Sequence, residues 1–189
     1  MTRKLQVVAV SGGLQRPSRT LALVEGIVTS MAQRLPIDVH LIELGEIAHL
    51  YGGITHPAAL PDEVKAEIAA VESADLLVVA SPVYRASFTG LFKHFFDFIH
   101  YEALIDVPVL LAATGGSDRH ALVIEHQLRP LFSFFQALTL PIGVYGAETD
   151  LQSYRVSSPA LQERIDLAVE RALPLLSHRN VAISLGVQA

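Results

Sequence analysis

Two stretches of this sequence are apolar without alternation: Leu76-Leu-Val-Val-Ala80, which follows Asp75, and Val107-Pro-Val-Leu-Leu-Ala-Ala113. A strand with one face in water alternates apolar and polar residues, because successive side chains point to opposite faces. A run without that alternation needs cover on both faces, as a central parallel strand has. Further strand-like stretches at 5–10, 37–42 and 140–145 bring the strand candidates to five. Helical patterns separate them at 20–34, 62–73, 90–100 and 120–137. A last helix is expected at 159–177, with Ser157 or Ser158 as its cap and Pro159 in its first turn.

Alternating strands and helices predict a doubly wound α/β sandwich, and five strands fit the flavodoxin-like order 2-1-3-4-5. The 189 residues suffice for one domain, expected over 1–177, with a weakly patterned tail at 178–189. The long connection 45–61, containing Tyr51-Gly-Gly, reads as a surface loop. Hydrophobic residues make up 51% and charged residues 17%, an apolar balance that points to a buried partner interface. The net charge of −5 gives nucleic acid no footprint. The chain has no cysteine, which excludes disulfides, thiolate nucleophiles and Cys-ligated metals; redox work would need a bound cofactor. Arg3 and Lys4 precede the first apolar run, but it is short and ends in glycines, so it reads as a strand. No stretch spans a bilayer. The expectation is a cytoplasmic protein with no membrane partner.

In open α/β sheets, ligands bind beyond the carboxyl ends of the strands, where strand order reverses. The loops after strands one, three and four should line that crevice. The first reads Ser11-Gly-Gly-Leu-Gln-Arg-Pro-Ser-Arg-Thr20 and leads into a helix. A helix N-terminus presents unpaired N–H groups and favours negative charge. Gly12 and Gly13 permit close backbone approach, Ser18 and Thr20 offer hydroxyls, and Arg16 and Arg19 offer charge. Neither Gly-x-Gly-x-x-Gly nor a Gly-Lys-Ser/Thr ending is present, which favours a monophosphate over a dinucleotide or ATP; a plain capped turn is the alternative. The third-strand loop, Ser81-Pro-Val-Tyr-Arg-Ala-Ser-Phe-Thr-Gly90, offers Tyr84, Arg85, Ser87 and Thr89. The fourth, Thr114-Gly-Gly-Ser117, could turn N–H groups toward a flat ring.

Taken together, Pro17-Ser-Arg-Thr20, Ser81-Pro-Val-Tyr84 and Thr114-Gly-Gly-Ser117 resemble the NADPH-dependent FMN reductase family. The likeness is strongest to the reductases of two-component alkanesulfonate and methanesulfonate monooxygenase systems. It runs from Leu5 to about Leu176. It implies FMN with NADH or NADPH as hydride donor, and a partner monooxygenase that receives reduced FMN. It also implies a flavin site made by Ser11, Gly13, Gln15, Arg16, Ser18, Arg19, Thr20, Pro82, Val83, Tyr84, Arg85, Ser87, Thr114, Gly115, Gly116 and Ser117. Ser18 and Thr20 would hold the phosphate, with Arg19 nearby. Residues 82–85 and 114–117 would bracket the ring. Gly13 and Gln15 stand where the family commonly has Ser and Arg; Arg16 could compensate, or FMN could be held loosely enough to leave as product.

Residues 121–138 are apolar nearly all round, more than one stripe of a helix needs, which points to a homo-oligomer, dimer or tetramer, through 120–137. Pro130 cannot donate to the carbonyl of His126, and a π-type widening would relieve the crowding. In the sulfonate-type reductases the resemblance implies an inserted residue in such a π-turn beside the flavin; here His126 holds that place. The other histidines lack metal-ligand spacing, so no metal is expected. The Phe-rich run 91–99 reads as core. No catalytic side chain is expected, since positioning and the cofactor carry hydride transfer. Two rival activities share the scaffold: a quinone or azo-dye reductase with tightly bound FMN, and a non-enzymatic electron carrier.

Overall fold

The computed structural model describes residues 4–184. Strands β1 (Leu5–Ser11), β2 (Ile37–Glu43), β3 (Leu76–Pro82) and β4 (Pro108–Gly115) are joined by helical crossovers. The fifth position is filled by two short strands, β5 (Leu138–Thr139) and β6 (Val144–Ala147). All pairings are parallel, in the order β2-β1-β3-β4-β5, with β6 also on β4. This is the flavodoxin-like order that the strand pattern predicts. The expected single strand at 140–145 is thus corrected to two pieces. Pro141 has no N–H to give the ladder, so pairing stops after Leu140 donates to the Val109 carbonyl at 2.9 Å and resumes at Val144.

The helices are α1 (Arg19–Ala32), α2 (Leu44–Tyr51), α3 (Asp62–Glu72), α4 (Gly90–Phe96), α5 (Arg129–Phe134) and α6 (Pro159–Ser184). They cover both sheet faces, as the uninterrupted apolar strands require. From β3, Leu76, Val78 and Ala80 point to a core closed by α1 and α6, with Leu23, Ile27, Ile165 and Val169. Leu77 and Val79 point to the opposite core, closed by α2 to α5. There the Phe-rich segment forms an aromatic layer, as expected: Phe96 meets Phe132 edge to face at 5.0 Å between centroids. Ser158 caps α6, its hydroxyl accepting from the Leu161 N–H at 3.4 Å, and Pro159 opens the helix. The boundary expected at 177 falls within α6, whose backbone continues to Ser184; residues 185–189 lie outside the described residues.

The expected surface loop at 45–61 is corrected in its first half. Leu44, Ile47 and Tyr51, spaced i, i+3, i+7, form the buried face of α2. The Tyr51 ring is fully buried and stacks on His94 at 5.8 Å, and its hydroxyl donates to the Leu91 carbonyl at 3.1 Å. Burial raises the Tyr51 phenol pKa, keeping it a donor. Removing only this hydroxyl in Tyr51→Phe should cost about 1 kcal/mol of stability. Emptying the ring's site in Tyr51→Ala should cost about 3–5 kcal/mol. Urea unfolding of the two variants checks both values.

Candidate functional site

Three loops leave the carboxyl ends of β1, β3 and β4, and hydrogen bonds join them. Gly12 N–H donates to the Ala80 carbonyl at 2.7 Å, tying the first loop to β3. Val83 N–H donates to the Thr114 carbonyl at 2.7 Å, tying the third-strand loop to the fourth. The buried hydroxyls of Thr20 and Thr114 meet at 2.7 Å, tying the helix start to β4. Thr114 therefore bonds both neighbours, one through its side chain and one through its backbone.

A cavity of about 340 Å³ opens between these loops. From the expected set, Gly13, Gln15, Ser18, Arg19 and Thr20 line it, with Pro82, Val83, Tyr84, Thr114, Gly115 and Gly116. At its floor α1 begins. Ser18 caps the helix, its hydroxyl oxygen accepting from Leu21 N–H at 3.1 Å, which leaves the O–H proton to donate elsewhere. The N–H groups of Arg19 and Thr20, at the first two helical positions, have no intrahelical acceptor. Arg19 Nε is buried and has no hydrogen-bond partner, although it is a donor by chemistry. An unsatisfied buried donor beside a helix start fits an anion.

Other expected residues stand elsewhere. Arg16 turns away: its guanidinium takes Glu43 with two hydrogen bonds and lies 3.2 Å from Glu46, leaving it no part in the cavity wall. Ser11 is buried as the last residue of β1. Arg85 and Ala86 form the tip of a tight turn, with φ of 51° and 68°, closed by reciprocal bonds between Tyr84 and Ser87. The turn projects Tyr84 into the cavity wall and leaves Arg85 exposed beyond it. Ser87 donates its hydroxyl to Gln127 Oε1 at 3.0 Å. Ser117 contributes its carbonyl to the Tyr145 hydroxyl at 2.6 Å. Burial, with Asp118 and Asp150 nearby, pushes the Tyr145 phenol up to about 12, so it stays a donor at neutral pH.

The glycines serve the loops' own packing as much as any ligand. A Cβ on Gly13 would lie 2.4 Å from Ser18 Oγ, the capping atom. A Cβ on Gly12 would meet the Ala80 carbonyl at 2.9 Å and Phe92 at 2.8 Å. Gly116 faces open space, leaving its backbone free to approach a ring.

Sequence reasoning missed Leu14, Glu148 and Tyr154 as cavity walls, and used Pro17 only as part of a motif. Glu148 and Tyr154 follow β6. The rule that ligands sit beyond carboxyl ends of strands applies to the fifth strand position too, and that signal was present. Glu148 Oε1 lies 2.5 Å from Arg19 Nη2, and the Arg19 guanidinium carbon lies 5.3 Å from the centre of the Tyr154 ring.

His126 sits on a π-turn at Ile124–Leu128, where Arg129 N–H reaches back five residues to the Ile124 carbonyl. This is the widening that Pro130 predicts. His126 is exposed and lines a second cavity of about 160 Å³. That cavity shares Val83 with the first. Among the described residues, no three His, Asp or Glu side chains gather as a metal site, and no helix is long and apolar enough to cross a membrane.

The family model of the NADPH-dependent FMN reductases matches residues 5–152. The chain belongs to this family. It is 60% identical to an NADH-dependent FMN reductase, SfnF, of Pseudomonas fluorescens over 93% of this chain and 94% of that one. It is 58% identical to an FMN reductase (NADPH) of Pseudomonas aeruginosa over 95% of this chain and 97% of that one. Among solved structures, an oxidoreductase from Corynebacterium diphtheriae superposes with a TM-score of 0.79 at 33% identity, over 93% of this chain and 98% of that one. The family match ends two residues short of Tyr154, so it takes in all three loops and Glu148.

The joint between Thr20 and Thr114 is open to a direct test. Thr20→Val or Thr114→Val alone strands the other buried hydroxyl and should cost about 1–3 kcal/mol. The double variant should cost clearly less than the sum of the two. Denaturant unfolding of all four proteins in a double-mutant cycle measures the coupling.

Proposed function

We propose that this chain is an NAD(P)H-dependent FMN reductase whose flavin occupies the cavity between the β1, β3 and β4 loops. The observation that carries this reading is the α1 start: a capping serine with a spare proton, helical N–H groups without an intrahelical acceptor and an unsatisfied Arg19 Nε share one wall. Ser18, Arg19 and the backbone of Thr20 hold the phosphate. Pro82, Val83 and Tyr84 on one side, and Thr114, Gly115 and Gly116 on the other, bracket the ring. Bound FMN supplies the acceptor, at N5, for a hydride from C4 of the reduced nicotinamide.

The protein's own contribution is placement. Val83 and the half-exposed Tyr84 offer apolar surface on one side of the cavity, against which a ring face would pack, and the Gly116 backbone could donate to polar ring atoms. The bonds through Thr114 tie the three loops to one another, so the residues that would hold the flavin ring are held in register. No side chain is required to move a proton in the hydride step. The resemblance to sulfonate-system reductases supports a downstream flavin-dependent monooxygenase as recipient of the reduced FMN. Relatives of nearly equal identity carry NADH and NADPH in their names, so the coenzyme is assigned as NAD(P)H.

Anaerobic assays with purified protein test the assignment. FMN should behave as a saturable acceptor of NADH or NADPH electrons. Arg19→Ala should weaken FMN binding by about tenfold to a hundredfold, the worth of one charge-assisted contact. Unchanged FMN affinity in that variant would sink the phosphate assignment.

The segment 121–138 supports an oligomer of this chain. Val123, Ile124, Leu128, Phe132 and Phe135 are buried within the monomer, whereas Leu122, Phe134 and Leu138 remain 63%, 68% and 45% exposed. Phe134 and the exposed Tyr101 line one groove with Phe96, Ile99, Leu131 and Phe135, and a contiguous apolar patch of this kind marks an interface. Phe134→Asp should lower the sedimentation-derived mass toward that of a single chain while leaving the far-ultraviolet circular dichroism unchanged.

A further inference from the structure

We propose that Glu148 is a built-in competitor for the flavin phosphate and sets how readily FMN leaves, an inference that rests on the phosphate lying at Arg19. Glu148 and Arg19 line the same cavity, and their carboxylate and guanidinium are 2.5 Å apart. The Tyr154 ring lies against the guanidinium, confining it to the cavity wall beside the carboxylate. The pair therefore stands where an incoming phosphate must bind.

A phosphate that engages Arg19 has two courses. It displaces the carboxylate, or it shares the cation with it. In either case Glu148 ends with less compensation than it had, next to a group of the same sign. Like charges in contact across an interface are costly, and the cost arises only in the bound state. The unsatisfied Arg19 Nε pulls the other way, since it gains a partner only when the anion arrives. Affinity is the balance of the two. Glu148 lowers it, and the lowering appears chiefly as faster release.

Glu148 is not needed to hold its own segment. That turn is pinned by Asp150, whose carboxylate accepts from Ala147 N–H at 2.9 Å and whose carbonyl accepts from Ser157 N–H at 2.9 Å. The Glu148 side chain is 56% exposed. Glutamine in its place keeps an oxygen for Arg19 and removes the charge.

Titrations of the full-length protein with FMN and with riboflavin, which has no phosphate, test this. Glu148→Gln should bind FMN about tenfold tighter, with slower release in stopped-flow displacement, and should bind riboflavin as the wild type does. Unchanged or weaker FMN binding in Glu148→Gln would overturn the proposal, making Glu148 a prop for Arg19. Equal tightening toward riboflavin would also overturn it, because the effect would not involve the phosphate. Ser18→Ala separates the two levels. If it weakens FMN alone while Glu148→Gln does nothing, only the competitor role falls. If the wild type does not distinguish FMN from riboflavin and Ser18→Ala changes neither, the phosphate site itself falls.

Discussion

Everything in this molecule follows from β3 and β4 being buried on both faces. Their side chains alternate between two cores, and neither core can form unless helices lie on both sides of the sheet. Parallel strands need crossovers, and crossovers on both faces force a reversal of strand order between β1 and β3. At a reversal the loops diverge to opposite faces and leave a crevice that the scaffold does not fill. The cavity is thus a by-product of covering an apolar sheet. What distinguishes this chain is what it places around that crevice: a capped helix start, a tight turn bearing an aromatic ring, and a glycine pair.

The strand order and both cores were legible because continuous apolar runs and helical periods are strong signals. α2 is hidden in the sequence because eight residues give one apolar repeat and Gly52-Gly53, a loop signal, follows directly. The break at Pro141 was equally written in the residues, but a short apolar run does not show where its ladder is interrupted. At the site, the three loops were legible and individual side chains were less so. Arg16 and Arg19 are both cations in the same loop. Only the fold shows that Glu43, at the end of the neighbouring strand, claims one, and that the other faces the cavity. The place of Glu148 after the fifth strand position is readable in the sequence, but its pairing with Arg19, 129 positions away, is not.

Pro130 and the π-turn show local chemistry and site architecture meeting. A proline inside a helix removes one donor, and the backbone responds by reaching five residues back instead of four. The turn so widened carries His126 and packs Gln127 against Ser87 of the tight turn. A local defect in hydrogen bonding therefore becomes a contact to the loop that bears Tyr84.

The interrupted fifth strand has a consequence for how the protein behaves in a crowded solution. Open sheet edges template the addition of strands from other chains, and very short edge strands are poor templates. On one side this sheet ends in pieces of two and four residues separated at Pro141. On the other it ends in β2, a regular strand of seven residues with Val39 and Leu41 more than a third exposed. Among the described residues the longer open edge is therefore β2, and there the exposed Asp38, with His40 held to Glu67 of α3 at 2.5 Å, acts as gatekeeper.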